Sequence, residues 1–174
     1  MRQVKAELQV SLEDSRWKKV MDESLDRFIQ THIESTLNFD RIVNTVPRQV
    51  EISIVLTNDE EIKALNRDYR GKNKATNVLS FPQETDLLSL KDLSACVLLG
   101  DIVLSIETIQ REAEQQQKLM QHHLAHLIVH STLHLLGYDH ETDSDAQVME
   151  SLEIDILHLH GISNPYESDT AFMV

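Results

Sequence analysis

VLLGDIVLS, residues 97–105, is the run that decides the fold. Its apolar residues follow one another too closely for a strand with one wet face, so it predicts a central strand covered on both sides. Residues 107–136 follow without Gly or Pro and predict helix. That stretch is long for a globular helix, and the polar QQQK at 115–118 is the expected break. Upstream, TNVLSF at 76–81 predicts a short strand closed by Pro82, and residues 83–95 a loop. VEISIVL at 50–56 and VKAELQV at 4–10 alternate apolar and polar, the pattern of half-buried strands. Helical spacing covers residues 14–37, with Trp17, Val20, Leu25, Phe28 and Ile29 as core contacts. Asn58 or Asp59 is the expected N-cap of a second helix, which runs to about Tyr69, with Gly71 placed to end it. A last one spans 143–159, with Val148, Met149, Leu152, Ile156 and Leu159 on its apolar side. There is no internal repeat and no shift in composition. The expected fold is α+β: a single domain over residues 1–174, with a small mixed four-stranded sheet packed with about five helices.

The chain of 174 residues is 41% hydrophobic and 26% charged, ordinary values for a globular protein. A single cysteine, Cys96, excludes an internal disulfide framework and suits a buried thiol in a reducing compartment. The opening MRQVKAELQVSLEDSRW is interrupted by charges throughout, unlike a signal peptide, and no run is long enough to span a bilayer. A cytoplasmic protein with no membrane partner is the expectation. The net charge of −13 repels nucleic acid and anionic membranes in general. RDYRGKNK at 67–74 is a local exception, with Arg67, Arg70, Lys72 and Lys74 against Asp68 alone. On charge alone it reads as a solvated turn.

Nine histidines are present, and three fall within HSTLHLLGYDH, residues 130–140. His130 and His134 lie four apart, on one helix face at a spacing of about 6 Å. Gly137 can take positive φ, which lets the helix stop and the chain swing back. His140 can then supply a third nitrogen. Three imidazoles leave a fourth tetrahedral position for water, as in catalytic zinc sites. A bound ion there would lower the pKa of water to about 7. The expected cofactor is one divalent metal ion, zinc first.

Metzincin proteases share the spacing H-E-x-x-H-x-x-G-x-x-H, with the Glu as general base. Here that position is Ser131, which has no useful proton affinity at neutral pH. Metal geometry is kept while the protease base is missing. Asp139 is the nearest carboxylate, with a turn or ligand-orienting role expected over a base. His126 is a candidate supporting residue. His122 reads as a surface or packing residue, and His123, His158 and His160 as surface residues.

HSTLHLLGYDH is joined by LNRDYRGKNKATNVLSFP at 65–82, LGDIVLS at 99–105, ME at 149–150 and NPY at 164–166. Together, in this order, these motifs resemble the YbeY family of bacterial endoribonucleases. The resemblance runs from about residue 50 to 166 and implies one domain with a small sheet and a metal, usually zinc, on His130, His134 and His140. It implies cleavage of single-stranded RNA, in 16S rRNA 3′-end processing and ribosome quality control, with the ribosome or ribosomal proteins as partners. The family's functional arginine maps to Arg70. That turns the basic segment into an expected substrate contact, with Lys72 and Lys74 as weaker backbone contacts. Three positions depart from the family pattern. Ser131 replaces a usual Gly and is expected to narrow the space beside the metal. Asn73 stands for Asp, and Ala75 where Pro is common. A metallopeptidase-like hydrolase and a non-catalytic ribosome-assembly factor with a structural metal remain alternatives.

Overall fold

The computed structural model describes residues 2–21, 23–83 and 94–167. The alternation in QVEISIVLT forms β2 (Gln49–Thr57), which buries Val50, Ile52, Ile54 and Leu56 on one face. It lies inside a four-stranded sheet of order β1-β2-β4-β3. β1 (Lys5–Leu12) and β4 (Cys96–Ser105) flank β2 in parallel, and β3 (Val78–Pro82) closes the edge antiparallel to β4. Parallel neighbours need crossovers, and α1 (Leu25–Leu37) supplies the first. α2 (Asp59–Arg70) follows β2. The mixed sheet, with five α-helices among the described residues, is the α+β domain expected. Among the described residues no helix is long and apolar enough to cross a membrane.

The polar run after residue 114 does break the long helical stretch. α3 (Ile106–Gln115) ends there, Gln117 takes a positive φ of 54°, and α4 (Met120–Leu135) begins afresh. α4 is buried on most of its circumference, because α1, α3, β3, β4 and α5 (Asp143–His158) all pack against it. It is the axis of the molecule, and its last two turns carry His130 and His134.

Four expectations need correction. Residues 14–37 are not one helix: a 3-10 turn at Ser15–Lys19 precedes α1, whose N-cap Ser24 accepts from the Arg27 amide. Trp17 still reaches the core, its Nε1 donating to the Thr57 carbonyl at 2.8 Å. On α5, Met149, Leu152 and Ile156 are buried, whereas Val148 and Leu159 face solvent. Cys96 is exposed at the start of β4, so it is not the buried thiol expected. His123 is buried, with Nε2 3.0 Å from Glu112, and His160 is half-buried against Ser35, so neither is a plain surface residue. Of the loop predicted at 83–95, residues 84–93 lie outside the described residues.

Candidate metal centre

α4 presents His130 and His134 on consecutive turns, with ring centroids 4.6 Å apart. Beyond its end Gly137 has φ +99°, and the Tyr138 amide returns to the Leu133 carbonyl at 3.1 Å. This closure turns the chain back and brings His140 to 5.1 Å from His134 and 5.7 Å from His130, ring to ring. One ring nitrogen of each lies within 4.8 Å of the other two. Asp139 makes the turn: its Oδ1 accepts from the His140 amide at 2.7 Å. Burial, and then the neighbouring His130 and His140, hold the His134 imidazole below its ordinary pKa of 6.5. The neutral form, which ligates metals, is thereby favoured. Three imidazoles without a thiolate suit a borderline divalent ion such as zinc.

Sequence reasoning missed a carboxylate directly behind these rings. Glu153, on α5, is fully buried, and its Oε1 accepts from His130 Nδ1. Its Oε2 accepts from the Tyr166 hydroxyl. His126, one turn before His130, places Nε2 3.6 Å from Glu153 Oε1 and 3.3 Å from the Tyr166 oxygen. Burial alone would raise the Glu153 pKa. The contacts from His126 and His130, the His130 charge and the Tyr166 hydrogen bond outweigh it and bring the value down to about 2. Burial and the adjacent carboxylate push the Tyr166 phenol up, which keeps it a proton donor. The missed signal was a Glu on the apolar stripe of α5, one residue after Leu152 and three before Ile156.

The three histidines open on a cleft of about 790 Å³, and Arg70 lines the same cleft. Arg70 ends α2, and its Nη2 donates to the Ser80 carbonyl at 2.7 Å while the guanidinium lies 5.7 Å from the centre of the Phe81 ring. Lys72 and Lys74 line the same cleft and are exposed. Buried Asn66 holds their loop, donating to the Lys74 carbonyl at 2.9 Å and accepting through its own carbonyl from the Lys72 amide at 3.2 Å. The sequence-expected residues thus share one cavity. Ser131 does not line it: it is fully buried, and its hydroxyl has no partner among the described residues.

The family described as Endoribonuclease YbeY matches residues 9–161. A Sphingopyxis alaskensis protein named Endoribonuclease YbeY is 52% identical over 120 residues, 67% of this chain and 71% of the relative. One of the same name from a Bradyrhizobium species is 49% identical over 116 residues, 67% of this chain and 69% of the relative. The one from Magnetococcus marinus is 48% identical over 122 residues, 67% of this chain and 83% of the relative. A solution structure of a Thermotoga maritima protein, 19% identical, shares the fold with a TM-score of 0.51 over 92% of this chain and 99% of that one. With a family match over most of its length and relatives near half identity, the chain belongs to the Endoribonuclease YbeY family.

Proposed function

We propose that this protein is a metal-dependent endoribonuclease that cleaves single-stranded RNA in ribosomal RNA maturation and ribosome quality control in the cytoplasm. Family membership supports the endoribonuclease activity and the role in ribosomal RNA processing. The observation that carries the mechanism is the shared cleft, lined by both the three-histidine cluster and Arg70. His130, His134 and His140 would hold one zinc ion. When bound, that ion supplies Lewis acidity, polarising a phosphoryl oxygen and making water a stronger acid. Arg70 binds the scissile phosphate, its planar fork matched to phosphoryl oxygens, and stabilises the charge that develops there. Lys72 and Lys74 attract the flanking backbone. The cleft lies between α4 and the edge strand β3. A peptidase reading would need a carboxylate at Ser131, whose buried hydroxyl cannot serve as base.

Arg70→Ala tests this directly. Cleavage of a single-stranded RNA should fall on the order of 10²- to 10³-fold with zinc content unchanged. His134→Ala should lose zinc and cleavage together. Cleavage at the wild-type rate in Arg70→Ala would remove the arginine from the mechanism.

A further inference from the structure

Glu153 is a fully buried carboxylate that the proposed cleavage does not use. Both its oxygens are occupied, Oε1 by His130 Nδ1 and Oε2 by the Tyr166 hydroxyl. We infer that Glu153 is a positioning residue for the metal centre, fixing the ring and tautomer of His130, and that Tyr166 locks Glu153 in place. The inference rests on the three-histidine reading above.

A carboxylate only accepts hydrogen bonds, so its partner nitrogen on His130 carries the proton. The other nitrogen, Nε2, is then unprotonated and is the ring atom left for a ligand. Without Glu153 the ring could take either tautomer, and in one of them a proton would stand where the lone pair is needed. The carboxylate also makes Nε2 a stronger donor. Tyr166 comes from the segment beyond α5 and bonds the second oxygen, so a different rotamer of Glu153 would have to give up that hydrogen bond. His126 closes the ring of contacts from the preceding turn of α4, 3.3 Å from the Tyr166 oxygen. The helix that carries two ligands, the helix that carries the carboxylate and the chain after it therefore meet at one point.

A competing arrangement is a separate ion on His126, His130 and Glu153, whose donor atoms also lie within 4.8 Å of one another. The hydrogen bonds decide against it. Glu153 already receives a donor on each oxygen, and its carboxylate is sealed from the cleft. The group serves as a brace for the first cluster.

The test measures zinc binding alone, with no RNA present. Metal-free wild-type protein, Glu153→Gln and Tyr166→Phe are titrated with zinc against a chromophoric chelator. Two-bond ¹H–¹⁵N NMR of the metal-free proteins reads the His130 tautomer. Glu153→Gln should weaken zinc binding about 10- to 100-fold and erode the Nδ1–H preference of His130. Tyr166→Phe, which keeps the ring and removes the lock, should weaken it by about tenfold or less. It decides the matter if Glu153→Gln does not fold. Wild-type zinc affinity and an unchanged His130 tautomer in the folded variants would overturn the inference and leave the three-histidine centre standing. No zinc binding by the wild-type chain would overturn both.

Discussion

Asp59 opens α2 with one carboxylate oxygen, Oδ1, that accepts from both the Ser105 and Thr108 hydroxyls at 2.6 Å. Burial would raise its pKa, but these two hydrogen bonds and Arg111 outweigh it and lower the value below the ordinary 3.8. The folded form therefore holds its proton less tightly than the unfolded chain. Its contribution to stability is full above pH 3.8 and fades as pH falls through the lower folded value. Asp59→Asn should be less stable than wild type in urea at neutral pH, with the gap closing as pH falls from about 4 through the lower folded value. A gap that stays constant with pH would contradict this. Asp59 was legible only as a cap candidate, because its partners lie 46 and 49 residues away. The same holds at the metal centre. His130, His134 and His140 could be grouped from helix periodicity and one glycine turn, all local. Glu153 meets His130, and Tyr166 meets Glu153 and His126, through tertiary packing, which spacing along the chain does not encode.

Elements were legible where polarity changes along the chain, and obscure where it does not. QQQK separated α3 from α4 visibly. The apolar spacing of Trp17, Val20 and Leu25 carries across the gap before α1, which hides the break that Ser24 caps. The edge strand's packing was also out of reach. Gly100, in β4, has φ +143°, and a Cβ there would lie 2.2 Å from the Phe81 carbonyl oxygen of β3. A register shift between Glu51 and Ile52 on β2 sits beside it, so the sheet bends where β3 comes close. β3 carries Ser80 and Phe81, which hold Arg70, so the bend serves the cleft wall. Gly100→Ala should destabilise the protein by about 1–3 kcal/mol through strain and the clash. Thermal unfolding measures this, and an unchanged midpoint would show that the two strands can separate without penalty.

The whole molecule carries a net charge of −13, yet its cleft gathers Arg70, Lys72 and Lys74 around the three histidines. Composition pointed away from nucleic acid because it averages over the surface, and the averaging hid one local basic wall. RNA that touches three cations should show a shallow salt dependence, a log–log slope of about −2 at roughly 0.7 per phosphate contact on a single strand. Lys72→Ala should reduce that slope by about 0.7. An unchanged slope would place the RNA elsewhere. The core formed by the sheet, α1, α4 and α5 is one continuous cluster, and the account expects it to survive loss of the ion. Chelation therefore separates a catalytic metal from a structural one. The decisive measurement is cleavage of single-stranded RNA by the zinc-loaded protein, by the same protein after chelation, and after zinc is returned, with far-UV circular dichroism recorded at each stage. The account predicts a folded but inactive protein on chelation and recovery with zinc. Cleavage that persists in the metal-free protein, or a fold that collapses with the ion, would contradict it.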